Sequence, residues 1–288
     1  MSQNLLITTA LCLAATGASA ELTYGSAFVK SHNFDSNDGS GDLRTFGGGI
    51  EYRTNNFTFS GDIGRIDGEG ETDGLDFGSV GVGYTLQNGV TIGLDYSTFS
   101  VEDDSTDVIS AYAMYSFGAY TVGLSAGDSS DLSDTAYTVF GAWDVSDNGT
   151  VGADVIRVEG ETGVSAYADY DLDRYSLAVD AYKFDTLRVF AVSGAYDFGN
   201  KISIIGSLAG ADEDGDGTTA LSVGAQYEFV EGANVEFALG RINVDGGDNI
   251  DRMTVGLNYE FGKKTSKRRT LSTILVGATS QAFGLTDF

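Results

Sequence analysis

From Met253 to Phe261 the chain sets Met253, Val255, Leu257, Tyr259 and Phe261 on every second position, with Thr254, Gly256, Asn258 and Glu260 between them. Successive side chains of a β-strand point to opposite faces. As a strand, this segment is apolar on one face, polar on the other, and aromatic at one end. The same alternation recurs in segments of about ten residues along most of the chain. A sheet built only from such strands has one continuous oily face. Closing on itself with that face turned to lipid leaves no edge unpaired. The pattern predicts an all-β chain forming an antiparallel transmembrane β-barrel.

Composition agrees with this reading. The 288 residues include 40 glycines, 17 Phe and 15 Tyr but no proline, and the mean hydropathy is near zero. Proline donates no backbone hydrogen bond and is kept out of paired central strands. Its absence suits a chain that is nearly all ladder. A formal charge of −26 argues against a nucleic-acid partner, which needs clustered bases. Residues 1–20 read as a secretory signal, with an apolar stretch from Leu5 to Ala15 and a small-residue cleavage site at Ala18-Ser19-Ala20. Cys12 leaves with that signal, so disulfide and thiol chemistry drop out.

Alternation and turn residues give sixteen strands: 21–30, 43–53, 56–66, 75–86, 90–100, 107–117, 119–127, 135–145, 149–158, 163–171, 174–184, 186–198, 201–210, 219–229, 233–243 and 251–261. Merging some pairs would leave 12–14. Every second link is a tight turn rich in Asn, Asp and Gly, such as Thr54-Asn55, Gln87-Asn88-Gly89 and Val230-Glu231-Gly232. These residues accept the positive φ of tight hairpins. Most other links read as longer and acidic: 31–42, 67–74, 101–106, 128–134, 159–162, 211–218 and 244–250. Short turns at one end and longer links at the other predict periplasmic and extracellular ends. Aromatic residues cluster beside the short turns, among them Tyr52, Phe57, Tyr84, Phe117, Tyr120, Trp143, Tyr196 and Phe198. That is the position of an interfacial girdle.

Strand parity then sorts the charges. Glu51, Asp62, Asp95, Asp144, Asp154, Asp169, Asp180, Glu228, Glu236 and Glu260 fall opposite the apolar phase, together with Arg53 and Arg252. These twelve are the predicted pore-lining charges, and a carboxylate-lined lumen favours cations. Lys30, Arg44, Arg65, Arg157, Lys183, Arg188 and Arg241 sit at the opposite strand ends in phase with the apolar row. A base there costs only about 0–1 kcal/mol, because it lies at the interface. It can reach anionic headgroups, so these seven are the predicted lipopolysaccharide contacts.

Asp212-Glu213-Asp214-Gly215-Asp216-Gly217 resembles the start of a calcium loop, with Asp212, Asp214 and Asp216 as candidate ligands for a divalent cation. The twelfth position is Val223 instead of the bidentate Glu of an EF-hand, which favours a solvated acidic loop. No other cofactor is expected. The single histidine, His32, has no second His or Cys to share a metal and joins no triad, so the chain does not read as an enzyme. Fragments such as Gly81-Val82-Gly83 are strand glycines, since no helix follows.

The signal segment, the opening Glu21-Leu22-Thr23-Tyr24-Gly25 and the closing TVGLNYEF of residues 254–261 together resemble the general porins of Gram-negative outer membranes, the alphaproteobacterial kind in particular. Thr254, Gly256, Tyr259 and Phe261 match that family's assembly signal. The resemblance implies recognition by the barrel-insertion machinery, residence in the outer membrane, and a sixteen-stranded homotrimeric channel passing small hydrophilic solutes and ions by diffusion. The alternative is a non-conducting structural or adhesive barrel.

The chain departs from that pattern twice. General porins fold a long third loop into the barrel as a constriction, whereas the matching link, 101–106, is short. The family also ends at the terminal Phe, whereas here residues 262–288 follow. They carry five bases (Lys263, Lys264, Lys267, Arg268 and Arg269) against one acid, Asp287, and an apolar run around Ile274-Leu275-Val276. So sharp a change of composition predicts a signal at 1–20, a barrel at 21–261, and a basic extension at 262–288 lying outside the barrel.

Overall fold

A computed structural model describes residues 20–37, 39–68, 74–101 and 104–262, together with Lys264, Lys267, Arg269 and Thr270. The signal through Ser19, Cys12 within it, and residues 271–288 lie outside the described residues.

Sixteen strands are present. The first eight are β1 (Ala20–Ser36), β2 (Gly39–Thr54), β3 (Phe57–Gly68), β4 (Leu75–Thr85), β5 (Val90–Val101), β6 (Asp104–Phe117), β7 (Tyr120–Ser129) and β8 (Ala136–Ser146). The rest are β9 (Gly149–Val158), β10 (Glu161–Leu172), β11 (Tyr175–Phe184), β12 (Leu187–Asp197), β13 (Ile202–Glu213), β14 (Asp216–Val230), β15 (Ala233–Val244) and β16 (Ile250–Gly262). Each strand pairs antiparallel with its chain neighbours, and β16 closes the ring on β1 from Tyr24 opposite Gly262 to Asp35 opposite Asp251. The barrel has sixteen staves, not twelve or fourteen. Among the described residues no helix occurs, and none is long and apolar enough to cross a membrane.

The strands outrun their sequence bounds at the end expected to carry long acidic loops. β1 and β2 stay paired until Ser36 faces Gly39, through most of the residues expected to form a loop. Ladder hydrogen bonds are made by the backbone, so acidic side chains do not end them. Asn33 Nδ2 donates to Asp42 Oδ1 across this pair at 2.5 Å. Several links there are two-residue hairpins. Glu159 and Gly160 have φ of 51° and 90°, and Asp214 and Gly215 have φ of 55° and 96°. Positive φ at both central residues is the geometry that matches strand twist. β5 and β6 pair up to Val101 opposite Asp104, leaving only residues 102–103 between them, too few for a long constricting loop.

Parity holds along most strands. The large apolar side chains most open to the surroundings include Val29, Ile63, Ile109, Leu124, Val139, Leu221 and Val223, and they form a continuous outer face. An apolar surface of this extent needs an apolar partner. Beside the short turns the rings touch. Phe57 lies 4.8 Å from Tyr84, Phe117 stacks on Tyr120 at 5.6 Å, Tyr120 on Trp143 at 6.0 Å, and Tyr175 meets Tyr196 at 4.8 Å.

The interior is mostly polar, with buried Glu51, Asp95, Ser97, Asp154, Ser165 and Glu236. One apolar patch stands inside the ring. Val108, Ala136 and Ile156 are buried there, with Phe99, Leu132, Val158, Tyr182 and Phe184 packed against them.

Candidate functional site

The ten predicted acids lie on the lumenal side of the wall, in three settings. Glu51 and Glu236 are buried near the seam where β1 meets β2 and β16. Asp62, Asp144 and Asp154 accept hydrogen bonds from the described tail residues, and Asp169 and Asp180 stand near them on β10 and β11. Glu228 and Glu260 line a cavity of about 730 Å³ at the short-turn mouth with Asp171, Asp197, Lys201 and Asn234. Asp95 is buried on β5, and Arg53 shares the inward phase of Glu51.

Lys30 departs from its expected outward position. The β1–β2 register shifts between Leu22 and Tyr24. An extra residue in one strand reverses which face every later side chain takes. Val29 is accordingly 59% exposed on the outer face, while Lys30 is 4% exposed and turned inward. Its Nζ lies 3.2 Å from Glu236 Oε1. The other carboxylate oxygen accepts from Asn258 Nδ2 at 2.8 Å and Gln226 Nε2 at 3.5 Å.

Gly256 makes room for this group. A Cβ there would lie 2.7 Å from Glu236 Cγ and 2.9 Å from its Oε1. The glycine read as part of an assembly signal thus also seats a lumenal ion pair. His32, read as a residue at a loop edge, is buried on the same wall, with Nδ1 2.9 Å from Thr254 Oγ1 and Nε2 3.4 Å from Thr45 Oγ1. Arg252 completes this basic-acidic seam.

Arg44, Arg65, Arg157, Lys183, Arg188 and Arg241 keep the outward phase. Two of them pair with neighbouring acids. Arg65 reaches Asp76 at 3.3 Å and Asp67 at 3.5 Å, and Arg241 Nε donates to Asp251 at 2.7 Å. Exposed pairs of this kind contribute little, because water and salt screen both charges.

The described part of the basic extension lies inside the barrel, contrary to the expectation that it stays outside. Lys264 Nζ lies 3.1 Å from Asp62 on β3, and Lys267 pairs with Asp144 on β8. Arg269 Nε donates to Asp154 Oδ2 on β9 at 2.9 Å, and its Nη2 donates to Ser165 Oγ on β10 at 3.2 Å. The Tyr167 ring lies under the guanidinium, 4.8 Å from Cζ, and the Tyr182 side chain on β11 shares a further hydrogen bond with it. Ser125 Oγ on β7 donates to the Arg269 carbonyl at 3.2 Å, and Thr270 is fully buried. Opposite charge explains the reversal, because a basic segment beginning at the mouth of an acid-lined tube is drawn inward.

Parity alone did not disclose Ser165, Tyr167, Tyr182 or Arg269 as partners. One signal was nevertheless present, a block of bases directly after an acid-rich barrel.

Asp212 and Asp216 fall on the two arms of a tight hairpin with Asp214 at its tip. Among the described residues no three His, Cys, Asp or Glu side chains gather as a metal site.

Solved structures of engineered variants of the Rhodopseudomonas blastica porin share this fold. One variant aligns at 15% identity and a TM-score of 0.52, covering 84% of this chain and 100% of that one. A triple mutant gives the same values, and a further variant aligns at 16% with a TM-score of 0.51 over the same shares. No family model matches the sequence, and no curated protein matches it.

Proposed function

We propose that this chain is an outer-membrane porin, a passive diffusion channel for small hydrophilic solutes whose lumenal carboxylates favour cations. The observation that carries this is the segregation of a closed ring. Val29, Ile63 and Val139 are open on the outside, while Glu51, Asp95 and Asp154 are enclosed within. Such a cylinder presents oil to lipid and carboxylates to water. The porin fold shared with the Rhodopseudomonas blastica variants supports the reading.

In that setting Arg44, Arg157, Lys183 and Arg188 face the headgroup level of the outer leaflet, within reach of lipopolysaccharide. The closing Thr254, Gly256, Tyr259 and Phe261 serve the insertion machinery, and the barrel assembles as a trimer. A second reading, a non-conducting barrel, draws on the tail residues in the lumen.

Two measurements bear on this. Across a tenfold KCl gradient in a planar bilayer, the purified protein is expected to give ohmic steps with a zero-current potential of cation sign. The potential should shrink as salt rises and screening shortens the field to about 8 Å or less. Silent membranes would favour the scaffold reading, and a potential of anion sign would remove the role given to the carboxylates. Trp143, the sole tryptophan, stands on the outer face in the ring of aromatics. Its emission should move to the blue on reconstitution and be quenched most by lipids brominated near the headgroup. Quenching by aqueous iodide with no response to brominated lipid would place this face in water.

A further inference from the structure

The groups around Arg269 form a built recognition site. A guanidinium is a flat, weakly hydrated cation that asks for a carboxylate in its plane and an aromatic ring against its face. Asp154 supplies the first and Tyr167 the second, with Ser165 and Tyr182 as further acceptors. The backbone prepares the site. Tyr167 lies over Gly152 of β9, where any Cβ would collide with the phenol ring. Tyr182 belongs at once to this site and to the apolar patch of Val108, Ala136 and Ile156, against which it packs.

Two features point beyond an internal ion pair. Asp154 is 2% exposed, yet its Oδ1 has no hydrogen-bond partner among the described residues. Arg269 engages only the other oxygen, through Nε. An untethered guanidinium can bind both oxygens of a carboxylate in parallel. Arg269 also reaches this wall from far away. It follows β16, and β11, β10 and β9 lie five, six and seven places round the ring from β16. With Lys264 against Asp62 of β3 and Lys267 against Asp144 of β8, the described bases of the tail reach separate parts of the wall.

We propose that Asp154, Ser165, Tyr167 and Tyr182 form a guanidinium-binding site in the lumen. Arg269 is its tethered occupant, and solutes bearing a guanidinium group are the cations this barrel takes. The Arg269 side chain is displaced, or outcompeted, by ligands of its own kind. The solute class rests on the channel reading, whereas the site and its occupant do not.

The test compares the full-length protein with a Lys264→Gln/Lys267→Gln/Arg269→Gln variant, and that variant with Asp154→Asn added. Folding of each is checked by heat-modifiable migration. Calorimetric titration of the detergent-solubilised barrels with arginine methyl ester needs no current. Binding is expected in the triple variant, weakened at least tenfold there by Asp154→Asn, and at least tenfold weaker in the full-length protein, whose site is filled. In bilayers the triple variant is expected to conduct at least twofold more than the full-length protein, with current interruptions caused by arginine methyl ester and not by tetramethylammonium. Equal binding with and without Asp154 would overturn the site, and equal binding to full-length and triple-variant barrels would overturn the occupancy. Silent bilayers with the calorimetric pattern intact would remove the channel reading and leave the site standing. Current without the binding pattern would do the reverse.

Discussion

Replacing Glu236 by leucine is expected to lower the stability of the barrel by about 3–5 kcal/mol, the usual consequence of removing one partner of a buried ion pair. Lys30 and Glu236 face each other at 3.2 Å with side-chain exposures of 5% and 2%. The substitution would take this carboxylate from Lys30 and an acceptor from Gln226 and Asn258, leaving the Asn258 amide only Asn234 Oδ1, at 3.1 Å, among the described residues. Removing both charges together, as Lys30→Met with Glu236→Leu, is expected to recover most of the loss, because apolar groups of similar volume often replace a buried pair without penalty. The readout is the urea midpoint of the heat-modifiable band. If Glu236→Leu leaves that midpoint in place, Lys30 is held by its other surroundings and the pair with Glu236 contributes nothing.

Gly232→Val is expected to destabilise by about 2–5 kcal/mol, the sum of left-handed strain and overpacking. Gly232 holds φ of 76° in the β14–β15 turn. A Cβ there would strike the carbonyl oxygen of Glu260 on the closing strand. The same backbone is fixed from both sides, since its N–H donates to Glu228 Oε1 at 3.0 Å and its carbonyl accepts from the Glu260 N–H at 2.8 Å. Gly118 provides the control. It has φ of 58°, but nothing lies within 4 Å of where its Cβ would be. Gly118→Val should therefore cost only the strain, about 1–2 kcal/mol. Equal folded yields for the two variants in refolding assays would show that the Glu260 carbonyl can move aside.

The barrel was legible because a two-residue period repeated over sixteen segments leaves few other ways to cover an oily face. The number of strands and the ring of aromatics were written in that period, whereas the contrast between short and long links was not, since the stretches 31–42, 101–106, 159–162 and 211–218 each leave only two residues between strands. Parity located the inward acids as long as each strand kept its phase. It failed at Lys30, because the register shift after Leu22 involves no proline or turn residue that would mark it in the sequence. Strand ends were placed too early at acidic stretches such as 31–42. Acidity there suggests a loop, but the ladder does not depend on side-chain polarity. The Arg269 site was illegible for another reason. Its groups come from β9, β10, β11 and a segment more than eighty residues further on, and only closure of the ring brings them together.

Because every base of the extension follows β16, a constraint on the order of assembly results. The enclosed space does not exist until β16 has zipped onto β1. The links to Asp62, Asp144 and Asp154 therefore form late, in a hoop already complete or completing. They act as a latch fastened from within, telling a finished barrel from one still open at its last joint.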